Sequence, residues 1–112
     1  MGVFVKGDVV VVPFPFSDLS SARRRPAFVI ADVTGDDVVL CQIATQQRRD
    51  RYSIPLTQKD FASGGLRPAS NVRPNRLFTA DSSIIAYQAG SVAQSKADEV
   101  IERVVQIVRS QP

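Results

Sequence analysis

The chain has 112 residues, 44% hydrophobic and 22% charged, with one cysteine, no histidine, no tryptophan and a formal net charge of +3. That length predicts a single domain over residues 1–112 with a modest core of its own, and the composition is that of a globular chain rather than a disordered one. Without histidine there is no histidine general base, no Ser-His-Asp triad and no histidine-ligated zinc, and the lone Cys41 forms neither an internal disulfide nor a thiolate cluster.

In chain order, Gly7-Asp8 precedes Val9 to Val12, a β-branched run that predicts a buried strand. Pro13 and Pro15, which cannot donate to a ladder, break it. Phe16 to Arg25 is Ser-rich, basic and without periodicity, which predicts a loop of about ten residues, of the length that carries function. Pro26 to Val33 predicts a second strand and Val38 to Ile43 a third, paired as a hairpin across Gly35-Asp36. Cys41 follows the apolar Val38, Val39 and Leu40, so its thiol is expected in the core. Tyr52 to Leu56 predicts a short strand. Asp60 to Gly65 predicts one helical turn ended by Gly64-Gly65. Leu77 to Ala80 and Ile84 to Tyr87 predict two more short strands. Ala97, Val100, Ile101, Val104 and Val108 recur at helical spacing and predict an amphipathic helix packed on the sheet. Ser95 and Asp98 resemble its capping box, and Arg109 suits the negative end of its dipole. Together these predict a mainly β fold with α, a small and strongly curved barrel carrying a C-terminal helix. No apolar run approaches the roughly 18 residues that span a bilayer, and no signal-peptide core follows Lys6. A cytoplasmic protein with no membrane partner is expected.

Charge is unevenly spread. Residues 1–76 hold 11 Lys/Arg against 7 Asp/Glu, and eleven of the fourteen basic residues are arginine. The runs Arg23-Arg24-Arg25 and Arg48-Arg49-Asp50-Arg51, with Arg73 and Arg76, are the kind of clusters that fork onto phosphates and stack on bases. The same runs also suit solvated loops that keep a chain soluble.

The opening GDVVVVPFPFSDLSSARRRPAFVI resembles the N-terminal signature of the MazF/PemK toxin family: Gly-Asp, a hydrophobic strand, a Pro/Phe loop, then Arg-Pro before a second strand. LCQIATQ is similar to that family's third-strand motif, YSIPLTQKDFASGGL to its variable middle segment, SNVRPNRLFTAD to its late Val-Arg-Pro element and GSVAQSKADEVIERVV to its closing helix. The resemblance covers residues 5–109. It implies an SH3-like small barrel of the MazF/CcdB/Kid type with a C-terminal amphipathic helix, assembled as a homodimer. It also implies the toxin of a type II toxin–antitoxin system, a ribosome-independent endoribonuclease cutting single-stranded RNA. Its partner would be a cognate antitoxin whose disordered tail lies over the RNA groove.

RNA carries its own nucleophile, the ribose 2′-OH, so an enzyme need only align it, stabilise the phosphorane and assist the protons. No metal and no cofactor are expected, which suits a chain without histidine. By resemblance Arg25, fixed in extended backbone by Pro26, is the family's Arg-Pro arginine. Its guanidinium stays protonated at neutral pH, which suits a phosphate clamp and transition-state stabiliser, with proton donation as a lesser alternative. Arg23 and Arg24 steer phosphate. The family's threonine position holds Ala44 here, with Thr45 displaced by one residue. In a regular strand Thr45 faces the other side; at a strand end or bulge it reaches the site as a second catalytic residue. The late motif reads VRPN, so Asn75 stands where many relatives carry aspartate and serves as a hydrogen-bonding contact. Arg73 contacts RNA, or pairs with Asp81 or a backbone carbonyl, and Asn75 alternatively shapes a turn. Phe16, Ser17, Ser20 and Gln46 complete the expected RNA-binding set, with Phe16 either stacking on a base or anchoring its loop. Two other functions fit the same resemblance. One is a catalytically weakened relative that binds RNA or antitoxin. The other is a CcdB-like gyrase inhibitor, for which the tail Val108–Pro112 lacks the expected aromatic end.

Overall fold

The β-branched run after Gly7 becomes a strand buried on both faces, and the rest of the sheet is built around it. The computed structural model describes residues 4–14, 23–45 and 50–110. It runs β1 (Asp8–Phe14), β2 (Arg23–Asp32), β3 (Asp37–Ala44), β4 (Ile54–Leu56), β5 (Phe61–Gly64), β6 (Ser70–Asp81), β7 (Tyr87–Val92) and α1 (Gln94–Arg109). Single 3-10 turns at Gln58–Asp60 and Ser82–Ile84 precede β5 and β7. The strands form one sheet in the order β4-β6-β3-β2-β1-β7-β5, with every neighbouring pair antiparallel. Its register shifts at Val9/Val10, Val29/Ala31, Cys41/Gln42 and Phe61/Ser63. Each shift bends a strand and steepens its twist, and together they curl the sheet into a half-barrel. The expected mainly β fold with a C-terminal helix is the fold adopted.

Alternation sends successive side chains to opposite faces. On one face Val9, Phe28, Cys41, Ile43, Ile54, Leu56 and Val72 pack with Ala97 and Val100 of α1. On the other, Val10, Val12, Ala27, Val29, Val38 and Leu40 form a second cluster bordered by Phe4, Phe78, Ala80 and Ile85. Two covered faces explain why the central strands are apolar throughout instead of alternating. Cys41 is fully buried as expected, and burial pushes its thiol pKa well up. Asp8, 4% exposed, accepts from the Val5 N–H at 3.0 Å and the Ser91 hydroxyl at 2.8 Å, tying the chain entry to β7. No helix among the described residues is long and apolar enough to cross a membrane.

Several local expectations are corrected. β1 continues through Pro13 to Phe14, because Pro13 falls near the strand's end. Asp60 to Gly65 is not a helical turn: the turn comes earlier, at Gln58–Asp60, and Phe61–Gly64 is a strand held by β7. Leu77 to Ala80 is the second half of the long β6, and Ile84 ends a 3-10 turn before β7. The helix starts at Gln94 with Ala93 as a cap lacking any side-chain bond. The Ser95–Asp98 capping box is absent, and Asp98 accepts from Gln94 Nε2 at 2.9 Å instead. Of the predicted stripe, Ala97 and Val100 are buried and Ile101 and Val104 half-buried, while Val108 is 63% exposed.

β5 joins the sheet through a close glycine pair, Gly64 opposite Gly90. Gly64 sits at φ +65°, and a Cβ on Gly90 would stand 2.5 Å from the Ser63 carbonyl oxygen. Gly90→Ala is therefore expected to destabilise the protein by about 1–3 kcal/mol through overpacking. Urea unfolding measures this, and amide exchange should show β5 losing protection first.

Candidate functional site

β2 opens with the arginine run, paired to the end of β1 as Phe14↔Arg23, Pro13↔Arg24 and Val12↔Arg25. All three arginines are exposed. The ion pairs among the described residues involve none of them. The expected loop over Phe16–Arg25 therefore yields its last residues to the ladder. Arg23 and Arg25 share the face of Ala27 and Val29, and Arg24 takes the opposite one. Ala27 stands opposite Gln42 of β3, and Gln42 opposite Arg73 of β6. Directly opposed residues share a face, so Arg25, Gln42 and Arg73 lie together on three adjacent strands. Continuing the β2–β3 register past Ala27 and Gln42 brings Arg25 opposite Ala44, which itself pairs with Asn71.

Arg73 is held from behind. Its Nη2 lies 3.3 Å from Asp50 Oδ2, and its side chain is 12% exposed. Its Nε is buried and meets no acceptor among the described residues. Such an unsatisfied buried donor costs about 1–3 kcal/mol. Asp50 also accepts from the N–H groups of Tyr52 and Ser53 at 2.9 and 2.8 Å and from the Ser53 hydroxyl at 3.0 Å. From α1, Arg103 Nη1 donates to the carbonyls of Arg51 and Tyr52 at 3.3 and 3.1 Å. The helix thus braces the turn that holds Arg73.

Between the pairs Gln42↔Arg73 and Cys41↔Leu77, residues Pro74, Asn75 and Arg76 bulge from β6. The bulge is what admits a proline in mid-strand. Pro74 is buried, whereas Asn75 and Arg76 are exposed. Arg76, Gln42, Leu77 and Phe78 line a cleft of about 290 Å³. Two alternatives are corrected here. Arg73 pairs with Asp50, not Asp81, whose carboxylate accepts from the Ser83 N–H at 2.9 Å; that bond lowers the Asp81 pKa. Asn75 lies in a bulge rather than a turn. Thr45 follows the end of β3 directly and is exposed. Phe16, Ser17, Ser20 and Gln46 lie outside the described residues. Among the described residues no group of three or more histidine, cysteine or carboxylate side chains is placed to hold a metal ion.

The family model of the PemK-like, MazF-like toxins of type II toxin–antitoxin systems matches residues 5–108. The chain belongs to that family. No curated protein matches it. Among solved structures, it is similar to MazF in a MazE–MazF complex from Deinococcus radiodurans, with 17% identity, 99% of this chain and 100% of that one covered, and a TM-score of 0.77. MazF alone from the same organism gives 19% identity, 97% and 99% coverage and a TM-score of 0.75. An endoribonuclease in complex with its cognate antitoxin, from a mycobacterial species, gives 13% identity, 98% coverage of both chains and a TM-score of 0.73. At these identities the likeness is one of fold.

Within this MazF-like toxin fold, two residues were missed by sequence reasoning. Gln42 is the lone polar side chain inside the apolar run VVLCQIA, a signal that was available. Asp50 stands in a basic run, and the return of β6 past it adds Arg73 to its local partners Tyr52 and Ser53. The Asp50 carboxyl is held below its ordinary pKa, first by the Tyr52 N–H, then by the Ser53 N–H and hydroxyl and the Arg73 charge. A depressed carboxylate stabilises the fold above its unfolded pKa of about 4, and that contribution is lost as pH falls through the folded value. Melting wild type beside Asp50→Asn should give a steady difference above about pH 5 that narrows as pH falls below the ordinary carboxylate range of about 4. A difference independent of pH would remove Asp50 from the anchor.

Proposed function

We propose that this MazF-family toxin is a sequence-specific, metal-independent endoribonuclease acting on single-stranded RNA. The observation that carries the reading is the shared face of Arg25, Gln42 and Arg73 on β2, β3 and β6, set by the ladder register. The ribose 2′-oxygen bonds to the adjacent phosphorus as the bond from phosphorus to the 5′-oxygen breaks, leaving a 2′,3′-cyclic phosphate and a 5′-hydroxyl. The 2′-OH loses a proton and the leaving oxygen gains one. Arg25 supplies charge to the developing phosphorane. Thr45 offers a hydroxyl at the end of β3, Arg23 and Arg24 draw in the backbone, and Arg73 and Asn75 contact the RNA. Phe16, Ser17, Ser20 and Gln46 are assigned to RNA binding on the resemblance alone. A homodimer would let the arginines of both copies line one path, and the cognate antitoxin would cover it.

A second reading, a weakened relative that binds RNA or antitoxin without cutting, is favoured by one observation. The last ladder residue of β3 is Ala44, a methyl group, and the hydroxyl of Thr45 lies beyond it. Incubating the purified, antitoxin-free protein with a long RNA in EDTA decides between the two. Discrete cuts with 5′-hydroxyl ends are expected; an intact RNA beside a folded protein would leave the binding reading.

A further inference from the structure

We propose that the cleft between β3 and the β6 bulge is a guanine-recognition subsite, read by Arg76 and Gln42. This rests on the single-stranded RNA reading above and names the base that one position of the substrate must carry. The cleft holds about 290 Å³, just below the range of roughly 300–1,000 Å³ for drug-sized ligand sites and enough for one flat heterocycle. Its walls are of two kinds. Leu77, 44% exposed, and the half-buried Phe78 give apolar surface for the face of a base, as single-strand readers commonly do. Gln42 and Arg76 give hydrogen-bonding groups for its edges. Among the described residues no carboxylate pairs with Arg76.

The two polar side chains select guanine by their donor and acceptor count. Guanidinium only donates, and its fork matches the O6 and N7 acceptors of guanine. The Gln42 amide oxygen accepts from the N1–H and N2–H groups of the same base. Adenine turns an N6–H donor toward the guanidinium, and pyrimidines lack the O6/N7 pair. The cleft also lies beside the catalytic face, because Gln42 is opposite both Ala27 of β2 and Arg73 of β6. A base seated there places its phosphate near Arg25.

The test uses the full chain with 2′-O-methyl oligoribonucleotides, which cannot be cleaved, carrying one guanine, 7-deazaguanine, inosine or adenine in a uridine background. Binding is followed by fluorescence anisotropy for wild type, Arg76→Ala and Gln42→Leu, with melting curves confirming each fold. Wild type should bind the guanine oligonucleotide on the order of tenfold more tightly than the 7-deazaguanine one. Arg76→Ala should abolish that difference, and Gln42→Leu should abolish the preference for guanine over inosine. Equal affinity for guanine and 7-deazaguanine, or a preference for adenine, overturns the assignment. A cleavage profile on a randomised RNA separates the two levels of the argument. Cuts sharing a guanine at one fixed offset, with that enrichment lost in Arg76→Ala, support the subsite; cuts without such a guanine sink it. If wild type cuts nothing, the ribonuclease reading falls, and the non-cleavable oligonucleotides still decide the cleft.

Discussion

Replacing Arg25 with alanine is expected to lower the single-turnover rate of RNA cleavage by about 10²–10³-fold, the loss usual when one donor to a developing oxyanion is removed. The fold should be untouched, since Arg25 is exposed and pairs with Val12 through its backbone. Exposed substitutions of this sort usually stay within about 0.5 kcal/mol. Arg25→Lys keeps the charge and loses the fork, so its rate should fall between the two. The neighbouring arginines should behave differently. Arg23 shares the face of Arg25 and Arg24 does not. Arg23→Ala should flatten the salt dependence of RNA binding by about 0.7 in logarithmic slope, the value for one single-strand phosphate contact; Arg24→Ala should change it less. Wild-type turnover by Arg25→Ala would remove this residue from the chemistry and with it the central assignment of the site.

The largest effect on stability is expected at Phe28. It is fully buried in the cluster beneath α1 and sits between Val9 of β1 and Cys41 of β3 in the ladder. Phe28→Ala removes the largest side chain of the central strands and leaves a cavity, at a cost of about 3–5 kcal/mol. A domain of this size has only about 5–15 kcal/mol in total, so the variant should unfold at a far lower urea midpoint with an unchanged slope. Val108→Ala, on an exposed position at the end of the helix, serves as the control and should shift the midpoint little. A Phe28→Ala midpoint equal to that of wild type would mean that this cluster does not hold the sheet together.

What the sequence disclosed depended on whether the deciding contacts were local. The hairpin across Gly35-Asp36 and the α1 stripe announce themselves within a dozen residues, and both are present. The strand Phe61–Gly64 has no alternation of its own; its conformation is imposed by β7, and a glycine pair resembles a helix stop when read alone. The sequence predicts only Leu77 to Ala80 of β6; Pro74 cannot donate to a ladder, and the bulge that admits it exists only against β3. The Arg-Pro context singles out Arg25 in the sequence through the family resemblance alone. The company it keeps is not legible there, since the register that aligns it with Gln42 and Arg73 links residues far apart in the chain.

Among the described residues the sheet ends at β4, three residues long with Pro55 at its centre, and at β5, four residues closing on Gly64. A long flat edge offers a row of free amides and carbonyls on which another chain can polymerise. Here one margin is interrupted by a residue without an N–H, and the other is too short to template a partner. Such margins resist growth into filaments, so the molecule can accumulate as discrete particles.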